Sequence, residues 1–220
     1  LDEGMLVVDG DVLGLDKQIA FVSLTEKGYL SLELIAHGPP GHASTPPRET
    51  TLGILSRAVS RLESNPMPAS MPEPIQRMFR YVGPEMPFPM NVVFANLWLT
   101  KPLVMKQLAR GRNTDAAIRT TTAVTIMEGG VKDNVLPATA RAVINFRPKP
   151  GETIEAVIEH VRNTINEDRI EVNVLRQPSE SPPMARVDVP AFEQLHTTIC
   201  QIFSGVIVAP TMMLGGSDTH

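Results

Sequence analysis

Cysteine is almost missing from this sequence: Cys200 stands alone among 220 residues, so no disulfide framework holds the fold. It falls in an apolar, helically spaced stretch and is expected to be a buried small hydrophobe. Neither charge dominates, since 20 Lys and Arg against 24 Asp and Glu leave a net charge of −4, and the two signs are interspersed. That excludes an electrostatic footprint for nucleic acid or an anionic membrane. No apolar run approaches the ~20 residues needed to span a bilayer, and neither a secretory leader nor an internal repeat is visible. The chain opens abruptly on Leu1-Asp2-Glu3-Gly4 and stops at Thr219-His220, as though cut from something longer, so native termini are expected outside it. What is present suffices for a core: 42% of the residues are hydrophobic, and the length suits one large domain or one compact domain with appendages.

The sequence is organised around Gly38 to Pro47, GPPGHASTPP, a stiff, sharply bent stretch that presents His42. Upstream, Leu30, Leu32, Leu34 and Ala36 alternate with polar positions, the period-2 pattern of a strand with one buried face. Downstream, Leu52, Leu55, Val59 and Leu62 recur at helical spacing, with Thr45 expected as N-cap and Pro46 at the first helical position. Ile19 to Thr25 reads as an earlier strand, and Glu26-Lys27-Gly28 as a hairpin turn with no chemistry to assign. From Asn65 to Met90 prolines and methionines crowd together, which precludes a long regular element. Residues 65–118 therefore read as an insertion of short helices, with Trp98 and the methionines as apolar filling that either shapes a pocket or packs on neighbouring helices.

Regularity returns with strands over 120–127 and 139–146, the second placing Ala140, Ala142, Ile144 and Phe146 on one face. Thr153 then begins a helix with Ile154, Val157, Ile158, Val161 and Ile165 on its stripe, His160 lies off it, and Ile170 to Leu175 supplies another strand. Strand, helix, strand, strand, helix, strand is the order of a ferredoxin-like α+β two-layer sandwich, a four-stranded antiparallel sheet with two helices on one face. Beyond it, 178–183 reads as a linker, Pro190 as the start of a helix through Phe192, Leu195, Ile199 and Phe203, and Val206-Ile207-Val208 as a buried strand.

Three strings in this order, Gly-Pro-Pro-Gly-His-Ala-Ser-Thr-Pro-Pro, Gly-Gly-Val-Lys-Asp-Asn-Val-Leu-Pro and Asn-Phe-Arg-Pro-Lys-Pro-Gly-Glu-Thr, resemble the dimerisation (lid) domain of the zinc-dependent amidohydrolase and carboxypeptidase family. That family holds aminoacylase, carboxypeptidase S, acetylornithine deacetylase and succinyl-diaminopimelate desuccinylase, and Glu26-Lys27-Gly28-Tyr29 resembles its carboxypeptidase S branch. The resemblance implies a catalytic-domain stub over 1–16, a lid over 17–178 and a return into the catalytic domain over 179–220. It implies a homodimer in which His42 reaches the partner's active site to donate to the oxyanion, Asn134 assists, and Arg147 clamps a substrate carboxylate. Gly215, Gly216 and Ser217 would line bound substrate on a glycine-rich loop, and Asp2 or Glu3 would supply a carboxylate to one of two zinc ions. His220 stands where the family carries a basic residue, and it receives no role.

The implied reaction is hydrolysis of an amide beside a free carboxylate, in a small peptide, an N-acyl amino acid or an N-fatty-acyl amino acid. The other reading is a non-catalytic dimerisation or binding module that retains the fold. His42, Asn134 and Arg147 together favour the hydrolase, because a scaffold has no need of those three polar groups. Yet the sequence contains no His-x-Asp and no Glu-Glu pair, the segments that in the family hold the metals and the general base. The isolated 220-residue chain is accordingly expected to show no amidase turnover when supplied with zinc, while its parent is active; turnover by the chain alone would refute that.

Overall fold

The computed structural model describes residues 5–217, and its frame is the alternation visible in the sequence. β3 (Leu30–His37) pairs antiparallel with β7 (Thr139–Arg147), from Leu30 opposite Phe146 to His37 opposite Thr139. β5 (Thr121–Gly129) lies on the far side of β7, and β8 (Ile170–Val174) on the far side of β3, giving the order β5-β7-β3-β8. One face carries Leu30, Leu32, Leu34, Ala36, Ala140, Ala142, Ile144 and Phe146, all buried. The other carries Glu33, Arg141 and Glu128 as an ion-pair row. A sheet with one apolar and one polar face needs cover on one side only.

That cover is two helices, α1 (Thr51–Ser64) and α6 (Ile154–Ile165). Each is started by a threonine whose hydroxyl accepts from a backbone amide three residues on: Thr50 from Gly53 at 3.1 Å, Thr153 from Ala156 at 3.2 Å. Their stripes, Ile54, Leu55, Ala58, Val59 and Leu62 with Ile154, Val157, Val161 and Ile165, fill the core. The expected ferredoxin-like two-layer arrangement is the observed one. The first helix begins five residues later than expected: Thr50, not Thr45, is the cap, because Thr45 sits in the turn of the His42 loop. Leu52 falls off the stripe and stays exposed.

A second, three-stranded sheet combines β1 (Met5–Asp9), β2 (Gln18–Glu26) and β9 (Ile207–Met213), with β1 antiparallel and β9 parallel to β2. The chain after β2 is therefore not a hairpin. β2 and β3 belong to different sheets, and Glu26-Lys27-Gly28 crosses between them. Gly28 is required there, since a Cβ would lie 2.4 Å from the carbonyl oxygen of Ser179. Residues 178–183, read as a linker, form a strap on this crossing together with the two residues that follow: Tyr29 and Ser179 exchange both backbone bonds, Thr25 Oγ1 donates to Pro182 O, and Ala185 N–H to Leu24 O.

α7 (Pro190–Ile202) covers one face of the second sheet through Phe192, Leu195 and Ile199. Its far side has no cover among the described residues, so Cys200 is exposed and not a core residue. The insertion covers the other face with α2 (Glu73–Val82), α3 (Met90–Ala95), α4 (Leu97–Leu108) and α5 (Arg112–Ile118). Met71, Ile75 and Phe79 pack on Met212 and Val104, and Met86 on Ile19 and Ala209. The methionines do fill, but Trp98 is 80% exposed and fills nothing. Phe146→Ala, which empties a fully buried site, should cost about 3–5 kcal/mol in urea unfolding, whereas Trp98→Ala should stay within about 0.5 kcal/mol.

Candidate functional site

His42 and Asn134 are brought together across 92 residues by a two-residue ladder. β4 (Gly41–His42) pairs antiparallel with β6 (Val135–Leu136), so that His42 faces Val135, and Ala43 N–H donates to the Asn134 carbonyl at 3.0 Å. The prolines on either side stiffen the bend, and Thr51 Oγ1 donates to Pro137 O at 2.7 Å, tying the ladder to α1. The imidazole is exposed, with Nδ1 receiving the Ser44 amide at 3.2 Å and lying 2.8 Å from the Ser44 hydroxyl. An Nδ1 that accepts from a backbone amide assigns the ring proton to Nε2.

That proton points at Asn134, whose Nδ2 lies 3.4 Å from Nε2. The buried Asn134 Oδ1 has no partner. Two N–H groups side by side, fixed by backbone, can receive one carbonyl oxygen or the oxyanion it becomes.

Arg147 is elsewhere. It closes β7 at the Leu30 end, while His42 and Asn134 extend from the Thr139 end. Eight residue steps at ~3.3 Å each separate the two ends of that strand. The guanidinium lies 5.2 Å from the centroid of the Tyr29 ring, and a methyl placed on Gly216 would be 3.5 Å from one of its nitrogens. Within one chain the imidazole and the amide form one group and the guanidinium another, and the four-stranded sheet links the two.

The loop beside Arg147 contains Gly215, Gly216 and Ser217. The buried carboxylate of Glu26 accepts from the Ser217 amide at 2.6 Å, so the loop is held from the β2–β3 crossing. Lys27 is 2% exposed and donates to the Arg119 carbonyl at 2.7 Å. Burial lowers its ammonium to about 8, with Lys149 and Arg147 nearby adding in the same direction against Asp115. Glu26 and Lys27 were assigned nothing from sequence; the only hint is two adjacent charges closing an apolar strand. The other shifted groups are surface pairs, such as Glu167, held at about 2 by its hydrogen bond to Arg169.

Asp2, Glu3 and His220 lie outside the described residues. Among the described residues no group of three His, Cys, Asp or Glu side chains is placed to hold a metal. The described residues by themselves therefore do not form a zinc site.

Residues 24–173 match the peptidase dimerisation domain of the M20 peptidases. The chain is 42% identical over 221 residues to an N-fatty-acyl-amino acid synthase/hydrolase of Xenopus tropicalis, covering all of this chain and 43% of that protein. It is 40% identical to a probable carboxypeptidase S-like protein of Dictyostelium discoideum, covering all of this chain and 42% of the other. Carboxypeptidase S of Saccharomyces cerevisiae is 27% identical over 99% of this chain and 43% of its own length. The chain thus spans less than half the length of these relatives. Among solved structures, an M20 family metallo-carboxypeptidase from Sulfolobus solfataricus superposes with a TM-score of 0.52 at 16% identity, over 88% of this chain and 53% of that one, a likeness of fold.

The buried Lys27 sets a measurable pH dependence. Its folded value lies below the unfolded 10.5, so between about 8 and 10.5 the unfolded chain binds the extra proton and stability rises with pH. Relative to Lys27→Met, the protein should gain on the order of 3 kcal/mol across that interval in denaturant titrations. A flat difference would remove the buried charge from the account.

Proposed function

This chain belongs to the M20 peptidases through their dimerisation domain, and from that premise we propose that it is the lid of a longer, zinc-dependent hydrolase. The enzyme cleaves the amide bond beside a free carboxylate in small peptides or N-acyl amino acids, and works as a homodimer. The observation that carries this reading is the placement of two polar groups at opposite ends of one sheet, each shaped for a different part of such a substrate.

Arg147, beside the glycine loop, receives the substrate carboxylate: its planar fork gives two parallel charge-assisted hydrogen bonds, and Gly215 and Gly216 let backbone approach the ligand. Glu26 holds that loop through Ser217. His42 Nε2–H and Asn134 Nδ2–H receive the carbonyl oxygen as charge develops on it. The metal, when bound, supplies the activated water, and its ligands come from outside the described residues, with Asp2 or Glu3 as one carboxylate.

With the two groups ~26 Å apart along β7, one chain does not complete a site, and a two-fold dimer does. The edge of β5 is the natural contact. It is one of the two edges of the four-stranded sheet, the other being β8; it exposes Ile126 and Met127, and the turn that follows it presents Val131 at 96% exposure just before Asn134. Pairing two such edges brings each chain's His42 and Asn134 toward its partner, while Arg147 stays with its own chain's glycine loop.

Mixing two inactive full-length variants tests this. His42→Ala and Arg147→Ala homodimers should each lose at least about a hundredfold in kcat/KM. Unfolded and refolded together, they should recover about a quarter of wild-type activity, because half the dimers are mixed and each mixed dimer regains one intact site. Absence of recovery would place both residues in the same subunit's site and overturn the arrangement.

A further inference from the structure

Among the described residues, what stands against the Arg147 guanidinium is an aromatic ring and not an acid. Gly28 N–H donates to the Pro148 carbonyl at 2.9 Å, and Leu30 stands opposite Phe146, so Tyr29 comes opposite Arg147 across the two strands. Side chains paired in this way lie within contact. The guanidinium carbon is 5.2 Å from the centroid of the Tyr29 ring, inside the ~6 Å over which a ring face attracts a cation. The acids of this junction are engaged elsewhere: Asp115 by Arg119, Glu152 by Lys149, and Glu26 by the Ser217 amide.

The ring is itself fixed at both ends. The Tyr29 backbone exchanges two hydrogen bonds with Ser179, at 2.7 and 2.9 Å. Its phenol oxygen accepts from the Ser31 hydroxyl at 2.9 Å, and that hydroxyl accepts from the Asn145 side-chain amide at 3.2 Å. Ser31 stands opposite Asn145 in the ladder, and Asn145 and Arg147 are two apart on β7, so the four side chains share the polar face of the sheet. Ser31 is 4% exposed. A hydroxyl buried to that extent must be hydrogen-bonded, and what it bonds is the ring that faces Arg147.

We propose that Tyr29 is the positioning residue for Arg147: its ring holds the guanidinium in one orientation for a substrate carboxylate, and Ser31 with Asn145 holds the ring. The proposal rests on the hydrolase reading above. An arginine side chain has many rotamers, and ordering it only when the ligand arrives weakens binding. A cation–π contact orders it beforehand and, unlike a carboxylate, leaves the N–H groups of the fork to the ligand. The effect falls on binding of the carboxylate and not on the bond-breaking step at His42 and Asn134.

The test uses the full-length protein with an N-acyl amino acid and the matching carboxamide. Wild type should show the lower KM for the carboxylate. Tyr29→Leu should raise that KM about tenfold, keep kcat within about twofold and leave the KM of the carboxamide unchanged. Tyr29→Phe, which keeps the ring, should bring KM back to within about threefold of wild type. Ser31→Ala removes the anchor of the ring and should raise the carboxylate KM about threefold, which reads the same effect should Tyr29→Leu misfold. Equal losses for carboxylate and carboxamide, equal losses in Tyr29→Leu and Tyr29→Phe, or an unchanged KM in all three variants each overturn the positioning role. Those results spare the hydrolase reading as long as wild type prefers the carboxylate. A wild type that does not distinguish the two substrates overturns the carboxylate clamp itself, and this proposal with it.

Discussion

The pairing of β3 with β7 is the constraint on which the rest of the structure depends. Eight consecutive residue pairs from Leu30 opposite Phe146 to His37 opposite Thr139 hold a single register, and a slip of one residue would turn Leu30, Leu32, Leu34 and Ala36 to the wrong face. Each fully buried leucine is worth about 1.5–3 kcal/mol, so the register is strongly specified. The same register also determines how far apart the polar groups stand. One end of the ladder runs on into the β4–β6 pair with His42 and Asn134; the other stops at Arg147.

The second consequence is that the two sheets are held together through backbone and buried charge more than through a shared core. Glu26 and Lys27 sit on the crossing, one bonded to the Ser217 amide and the other to the Arg119 carbonyl. Burying an ammonium beside Arg147 and Lys149 costs stability. The cost falls at the crossing itself, where Lys27 N–H also donates to the Met213 carbonyl of the second sheet.

Membership of the M20 peptidases and the division of polar groups between the ends of one sheet support each other. A self-contained site would be built around one cavity. A dimerisation domain can leave each half incomplete, because two-fold symmetry brings a second copy of each half to the first. The insertion adds an apolar space, lined from the second sheet and its own helices, near the Arg147 end of the four-stranded sheet.

Much of this was legible in the sequence for a physical reason: alternation and helical stripes are written locally, so the strands at Leu30 and Ala140, the helices at Ile54 and Ile154, and their α+β order follow from periodicity. The bent, proline-bounded presentation of His42 is equally local. Tertiary structure alone decided that Thr50 and not Thr45 caps the first helix, that the β2–β3 turn joins two sheets and not one hairpin, and that Cys200 and Trp98 face outward. It alone decided that Arg147 stands a whole strand away from His42, and that Lys27 is buried. Each of those depends on which distant segment supplies the next hydrogen bond or covers a given face, and spacing along the chain carries no information about that.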